Sequence, residues 1–318
     1  MFSKDELIRF IFYWFIPPGL KPVLVKAYKS VIFVNFEIDL TPASMGYPDP
    51  VEEAKREKIR LNFYLKENAI YQNRHLGKKL FILCNGPSIK AEDLSVLKGE
   101  ICMGVSNFYK HAEYGQIKPL YHVTPNVFYE NLRLANPDPV QSLKDWFSEM
   151  EKCTCEAELF FGSRQMSFIE EHSFFQNRAV HFLELESQER IPNENNVDIT
   201  QAIPPVQSVP IVCLILGIYM GFKEIYLLGV DHTELIADSY EYFFDRKTMA
   251  FKDPSVTKDN KLNDKKINIL ESYTFLWRQY LGILEVAEKR GISIINLNKH
   301  SFLDVFPKGS LSEALIYN

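Results

Sequence analysis

KLFILCNGPSIKAEDLSVLKGEICMGVSNFYKH, residues 79–111, carries the clearest sign of architecture in this chain. Leu80, Phe81, Ile82 and Leu83 form an unbroken apolar run, the pattern of a strand buried on both faces. The run stops at Cys84-Asn85-Gly86-Pro87-Ser88. Gly86 permits a tight turn and a close approach of ligand to backbone, and Pro87 fixes the bend. Ser88 suits the N-cap of a helix starting near Ile89, with Glu92 and Asp93 in its first turn. A second apolar strand over 101–105 ends in Ser106-Asn107. Two parallel strands joined by a helix would place both polar ends on one rim, where open α/β sheets bind ligands.

The chemistry suited to such a rim is phosphate binding. A helix N-terminus offers unpaired N–H groups and partial positive charge to an anion, and Asn side chains at strand ends can hydrogen-bond a ribose or a base edge. The same residues also make an ordinary strand–turn–helix corner. Neither G-x-G-x-x-G nor a Walker lysine is present to separate the two readings.

Working outward, strand and helix patterns alternate. Strands are expected over 120–123, at Phe160-Phe161, and over 180–185, 224–228 and 292–297. Helices are expected over 48–75, 108–114, 143–150, 166–171, 211–220 and 268–290. Ser208-Val209-Pro210 opens the helix over 211–220, and Gly221 closes it as C′ residue. The polar, Pro-bearing stretch 188–205 reads as a loop or lid, and 233–265 as an active-site loop. This alternation predicts a doubly wound, mostly parallel, Rossmann-like sheet. Its polar strand ends, Asn85, Asn107, Thr124, Asp231 and Asn298, are expected to converge.

With 318 residues and 46% hydrophobic residues, the chain suits one large α/β domain with a small appendage. A net charge of −5 argues against a nucleic-acid backbone as partner. Cys84, Cys102 and Cys213 sit in apolar segments and read as core thiols, and Cys153-x-Cys155 has no second pair at zinc spacing, so reduced thiols in a cytoplasmic protein are expected. Residues 7–16, LIRFIFYWFI, are too few to span a bilayer. Lys21, Lys26 and Lys29 follow among aliphatic residues, so residues 5–35 suit contact with a membrane surface. Packing on the domain, or on a second copy in a homo-oligomer, is the alternative. The domain expectation is therefore a helical, amphipathic extension over 1–75 and a Rossmann-like ligand-binding domain over 76–318.

KxxFILCNGPSIK, VSNFYKH, GFKEIYLLGVDH and YFFD together resemble bacterial sialyltransferases of glycosyltransferase family 42. They also resemble the wider family of motility accessory factors and 6-hydroxymethylpterin diphosphokinase-like proteins. The similarity covers roughly residues 78–305. It implies a GT-A-like sialyltransferase variant of the Rossmann-like fold. It also implies that Asn85, Gly86, Pro87, Ser88 and Asn107 hold the CMP portion of a CMP-activated sugar. Thr124, Pro125 and Asn126 match the family's Asn-Pro-Ser turn, and Ser208 matches the opening of a helix beside the nucleotide. Tyr242 matches a tyrosine that binds the leaving phosphate. Two positions depart from the family: its histidine has no counterpart around residues 272–277, and a second phosphate-binding tyrosine falls on Thr233.

The function implied is transfer of an acidic sugar, sialic acid-like or Kdo, from a CMP donor to a cell-surface glycan or glycolipid acceptor. The setting would be the cytoplasm or the inner face of its membrane. A single leaving phosphate needs hydrogen-bond donors rather than a two-phosphate metal clamp, so no metal or cofactor is expected. The acceptor hydroxyl needs a general base. His232, at the end of a buried strand, is the first candidate. Asp231 either orients His232 or binds a ribose or a metal, and Glu234 is a further base candidate. His300 also reaches the rim, whereas His75, His111, His122, His172 and His181 read as structural. Two other functions fit the same residues: a pterin-type diphosphokinase with Mg²⁺ on Asp231, and a non-catalytic nucleotide-binding protein of surface-glycan assembly.

Overall fold

The computed structural model describes residues 50–127, 138–154, 156–237, 239, 241–250 and 265–316. The expectations for residues 5–35 and for Cys155 lie outside them. The chain divides into two units, 1–62 and 63–318. Of the first, only the opening of helix α1 (Pro50–Glu67) is described, and its residues 55–60 are exposed, as the run of charges predicts.

The second unit is built on seven strands: β1 (Lys79–Leu83), β2 (Cys102–Val105), β3 (Tyr121–Thr124), β4 (Glu158–Gly162), β5 (Val180–Leu183), β6 (Glu224–Leu228) and β7 (Ser293–Asn296). They form one parallel sheet in the order 5-4-3-2-1-6-7. The predicted α/β, parallel, doubly wound class is therefore the observed one. Unbroken apolar runs make the central strands because both faces are covered. Leu80, Ile82, Met103, Val105, Tyr121 and Val123 share a fully apolar cluster with helix α3 (Val209–Tyr219). Phe161 faces the other way, against Phe147 of helix α2 (Pro139–Cys153). Helix α4 (Lys266–Lys289) packs on α3 and β7. Gly221 ends α3 with φ +79°, the left-handed C′ conformation expected of it. Among the described residues, no helix is long and apolar enough to cross a membrane.

Three expectations are corrected. The segment between β1 and β2 has no α-helix. It forms two 3-10 turns, Pro87–Ala91 and Leu94–Leu97, and Ser88 caps neither. Its hydroxyl instead donates to Asp231, 143 residues away, at 2.5 Å. The stretch 188–205 is no lid. Val197, Ile199 and Ile203 are buried, and the fully buried Gln279 amide of α4 donates to the carbonyls of Arg190 and Pro205 at 2.9 and 2.8 Å. A buried amide satisfied by two loop carbonyls fixes that loop to the core. The expected long helix over 48–75 also stops at Glu67 and continues as a 3-10 turn, Asn68–Tyr71.

The order 5-4-3-2-1-6-7 puts β1 beside both β2 and β6. Chain direction across the sheet reverses between β1 and β6, which opens a crevice at their carboxyl ends. Most of the candidate site residues gather there.

Candidate functional site

The ends of β1 and β6 stay paired beyond the strands. Cys84 N–H donates to Leu228 O and Gly86 N–H to Gly229 O, both at 2.9 Å. A Cβ on Gly86 would stand 2.5 Å from Gly229 O, and Gly229 holds φ +67°. Only glycine permits this approach. Beyond it the two segments part around a cleft of about 330 Å³, within the roughly 300–1,000 Å³ of small-molecule sites. Asn85, Gly86, Pro87, Asn107, Asn126, Ser208, Asp231, His232, Glu234 and Tyr242 all line it.

Asn85 places its side-chain oxygen in a buried position without a hydrogen-bond partner among the described residues. A buried acceptor left open is costly unless a ligand supplies a donor. Its backbone carbonyl is used, accepting from Phe243 N–H at 2.9 Å. That bond holds the segment 241–250 across the cleft, helped by Lys110 Nζ donating to Thr248 O at 3.2 Å. Tyr242 thereby reaches the cleft wall, its ring stacked on Phe244 and beneath the Arg246 guanidinium.

Asn107 is buried, and its Oδ1 accepts from Trp146 Nε1 at 2.7 Å and Tyr109 OH at 3.3 Å. An indole N–H only donates, so the amide oxygen must face α2 and the NH₂ group is what Asn107 can offer a ligand. Trp146 itself lines the cleft. Its place on the apolar stripe of α2 reads as core, and only the buried indole N–H signals a second task. Replacing Trp146 with Phe is expected to cost on the order of 1–2 kcal/mol of stability and to loosen the Asn107 amide. Urea unfolding of wild type and variant measures the first effect, and titration with CMP the second.

Three sequence expectations need correction here. Thr124 belongs to β3, is buried, and turns its hydroxyl to the Met150 sulfur rather than into the cleft. Ser88 lines not this cleft but an adjacent one of about 520 Å³, with Asn298, Lys299 and His300. Its N–H and hydroxyl both go to the Asp231 carboxylate, at 2.8 and 2.5 Å, so neither is offered to a phosphate. Asp231, also holding Asn298 Nδ2 at 2.8 Å, ties the ends of β1, β6 and β7 together and makes no hydrogen bond to His232. Asn126 lines the cleft, and its Oδ1 accepts from Arg164 N–H at 3.2 Å.

The partner that orients His232 is Glu234. His232 takes φ +52°, a left-handed conformation costly for a residue with a Cβ. Its Nδ1 lies 3.3 Å from Glu234 Oε1 and its Nε2 lies 2.9 Å from Tyr280 OH. Tyr273 OH also donates to Glu234, at 2.5 Å. Burial pushes the Glu234 carboxyl up, but the His232 and Tyr273 hydrogen bonds and the His232 charge outweigh it, holding Glu234 below the usual carboxylate range. An ionised carboxylate only accepts, so the Nδ1 facing Glu234 carries a proton, and the role of Nε2 towards Tyr280 follows from whether the ring holds a second one. Tyr273 and Tyr280 lie within α4, the helix expected over 268–290. Two of the histidines read as structural are engaged away from the cleft. His75 meets Tyr121 OH at 2.6 Å, and burial pushes His122, bonded to Ser106 O at 2.8 Å, down to about 4. His300 is exposed on the adjacent cleft. Among the described residues, no group of three or more His, Cys, Asp or Glu is placed to hold a metal ion.

No family model matches this chain, and no curated protein matches it. Among solved structures, the sialyltransferase CstII from Campylobacter jejuni in complex with CMP-3FNeuAc is similar at 17% identity, covering 73% of this chain and 86% of that one with a TM-score of 0.39. The same enzyme with cytidine-5′-monophosphate gives 18% identity over 74% and 86%, TM-score 0.38. The sialyltransferase CST-II with a trisaccharide acceptor and CMP gives 18% identity over 73% and 86%, TM-score 0.39. Likeness at this level assigns no activity and no site residue to this chain.

Proposed function

We propose that the cleft binds a CMP-activated acidic sugar, sialic acid-like or Kdo, and that the chain transfers this sugar to a glycan or glycolipid acceptor. One observation carries the reading. Asn85, Asn107, Ser208, His232 and Tyr242, from five separate segments, meet in a single cleft at the switch point of a parallel sheet. Their chemistry suits a nucleoside monophosphate. The open Asn85 oxygen calls for a ligand donor, which a ribose hydroxyl or the cytosine amino group supplies. The Asn107 NH₂ group calls for an acceptor. The N-terminus of α3 at Val209-Pro210 lines the cleft and brings partial positive charge to a phosphate. Tyr242 adds a phenol from the loop. The motif resemblance of residues 78–90, 105–111, 221–232 and 242–245 to sialyltransferases points the same way.

The test is thermal stabilisation by CMP, UMP, GMP and AMP and their sugar or diphosphate derivatives, each with and without Mg²⁺. A ligand at 100 times its Kd stabilises by about 2.7 kcal/mol, which raises the Tm of a domain this size by roughly 5–10 °C. CMP is expected to give this shift, Mg²⁺ to add nothing, and the other nucleotides to give little. A shift seen only with ATP and Mg²⁺ would assign the site to phosphoryl or pyrophosphoryl transfer instead.

A further inference from the structure

All seven strands run parallel, so their amino ends share the edge of the sheet opposite the cleft. That edge is basic. Within the four residues before its start, every strand except β4 carries a lysine or arginine: Lys78, Lys98, Lys118, Arg178, Lys223 and Lys289 precede β1, β2, β3, β5, β6 and β7. The same stretches hold only two acidic residues, Glu100 and Glu156. In a chain of net charge −5 this is a local reversal of sign. Its neutralisation is partial. Lys118 pairs with Glu156 and Arg74 with Glu158, each at 2.8 Å. Lys223 donates to Gly291 O, which takes up no charge. Lys78, Lys98 and Lys289 are exposed and make no ion pair among the described residues.

Bulky aliphatic side chains stand in water among these cations. Leu76 is 73% exposed, two residues before Lys78. Ile70 is 65% exposed on the 3-10 turn whose Tyr71 hydroxyl donates to Glu158, the first residue of β4. Ile316, 74% exposed, ends the short helix Leu311–Ile316, whose Ala314 carbonyl accepts from Lys79 Nζ at 3.3 Å. All three therefore belong to the amino edge. A lone exposed aliphatic is ordinary, but several set along one basic edge mark an interaction surface.

We propose that the amino edge of the sheet docks on an anionic lipid bilayer. Lysine ammonium groups meet the lipid phosphates, while their carbon stems and the side chains of Ile70, Leu76 and Ile316 enter the boundary between headgroups and acyl chains. A nucleic-acid backbone would use the cations and leave the aliphatics in water. A second copy related by a two-fold axis would set a basic edge against a basic edge. The surface is separate from the contact expected of residues 5–35, and it does not depend on the transferase reading. The cleft lies at the other ends of the same strands and so opens away from the lipid.

Sedimentation of the full-length protein with vesicles tests the surface. Vesicles of phosphatidylglycerol and phosphatidylcholine in equal parts are compared with phosphatidylcholine alone. Binding to the first and not to the second is expected at roughly 0.1 M salt, with its loss near about 1 M, where the screening length falls from about 10 Å to about 3 Å. Each unit of charge near an anionic surface is worth about fivefold in affinity. Lys78→Glu, Lys98→Glu and Lys289→Glu each change the charge by two, so the triple variant should no longer sediment. Leu76→Ser combined with Ile316→Ser keeps the charge and should weaken binding roughly tenfold or more. A wild-type Tm shows that each variant is folded. If the triple variant melts early, Lys78→Gln, Lys98→Gln and Lys289→Gln, which remove charge without reversing it, take its place. Wild-type sedimentation by the lysine variant overturns the proposal, because binding then belongs to another part of the chain. So does equal binding to phosphatidylcholine alone, or binding to neither kind of vesicle. Anionic binding that survives Leu76→Ser with Ile316→Ser unchanged also overturns it, and leaves the edge as a surface for a polyanion or an acidic protein. Absence of CMP binding would defeat the transferase reading and leave each of these outcomes as it stands.

Discussion

Asn107→Ala is expected to weaken CMP binding roughly 10- to 100-fold, the equivalent of about 1.5–3 kcal/mol for a hydrogen bond to a charged or buried group. The amide works in two directions. Its oxygen satisfies the Trp146 indole N–H inside the protein, at 2.7 Å, and its NH₂ group is left for the ligand. Truncation removes both, so part of the effect is a stranded indole N–H and a loss of fold stability. Asn107→Asp separates the two. The carboxylate still accepts from Trp146, but it meets the ligand with an acceptor where a donor stood. If the ligand atom is a phosphate or base carbonyl oxygen, Asp should bind CMP more weakly than Ala at neutral pH. Affinity should then recover as the pH falls and the carboxyl takes a proton, because the protonated acid donates again. Calorimetric titration of both variants with CMP between pH 5 and 8 measures this. Unchanged affinity in both would remove Asn107 from the binding site.

Asn107 is also a fair example of what the chain discloses before it is folded. A short apolar run that stops at small polar residues can be read as a strand ending on a rim, because backbone periodicity and burial are local facts. Asn85, Asn107 and His232 were legible on that ground, and they do share one cleft. Thr124 was not, because the strand runs one residue further than its apolar pattern. A one-residue shift turns a side chain to the opposite face of the sheet, here towards Met150 of α2. The partners of the legible residues stayed hidden for a different reason. Trp146, Tyr273 and Tyr280 sit on helices where any aromatic residue fits the apolar stripe, and only tertiary packing aims their polar ends at Asn107, Glu234 and His232.

The same logic explains the turn after β1. Ser88 followed by Ile89 and two acidic residues has the local chemistry of a capped helix. A carboxylate 143 residues later outbids that role, since a charged acceptor makes a stronger hydrogen bond than a backbone amide offers in return. Local propensity gives way where the tertiary partner is charged and buried. The result is a 3-10 turn whose N–H and hydroxyl point at β6 rather than at a ligand. In the proposed function the phosphate role expected of this turn passes to the other helix start on the cleft, Val209-Pro210 at the head of α3.

Asp231→Ala is accordingly expected to act on the fold before it acts on chemistry, with a loss of roughly 3–5 kcal/mol, the scale of two hydrogen bonds to a charged group at about 1.5–3 kcal/mol each. Asp231 is 5% exposed and accepts from Ser88 N–H, Ser88 Oγ and Asn298 Nδ2. Removing the carboxylate strands these donors and unties three strand ends at once. Asp231→Asn should cost about half as much. Its oxygen can keep the Ser88 N–H, and its NH₂ group can donate to the Ser88 hydroxyl, which rotates to accept. The Asn298 NH₂ group then faces another NH₂ group, and flipping it would break the bond from His300 N–H to Asn298 Oδ1 at 2.9 Å. Guanidinium chloride unfolding of the two variants should therefore rank them Ala, Asn, wild type in rising stability. Ser88→Ala should fall between Asn and wild type, and should lose most of its effect in the Asp231→Ala background because both remove one bond. CMP affinity should drop in the same order, since the Gly86 turn that forms one wall of the cleft is held by this carboxylate. A stability loss below about 1 kcal/mol in Asp231→Ala, the range of a surface substitution, would show that the three strand ends are held by something else.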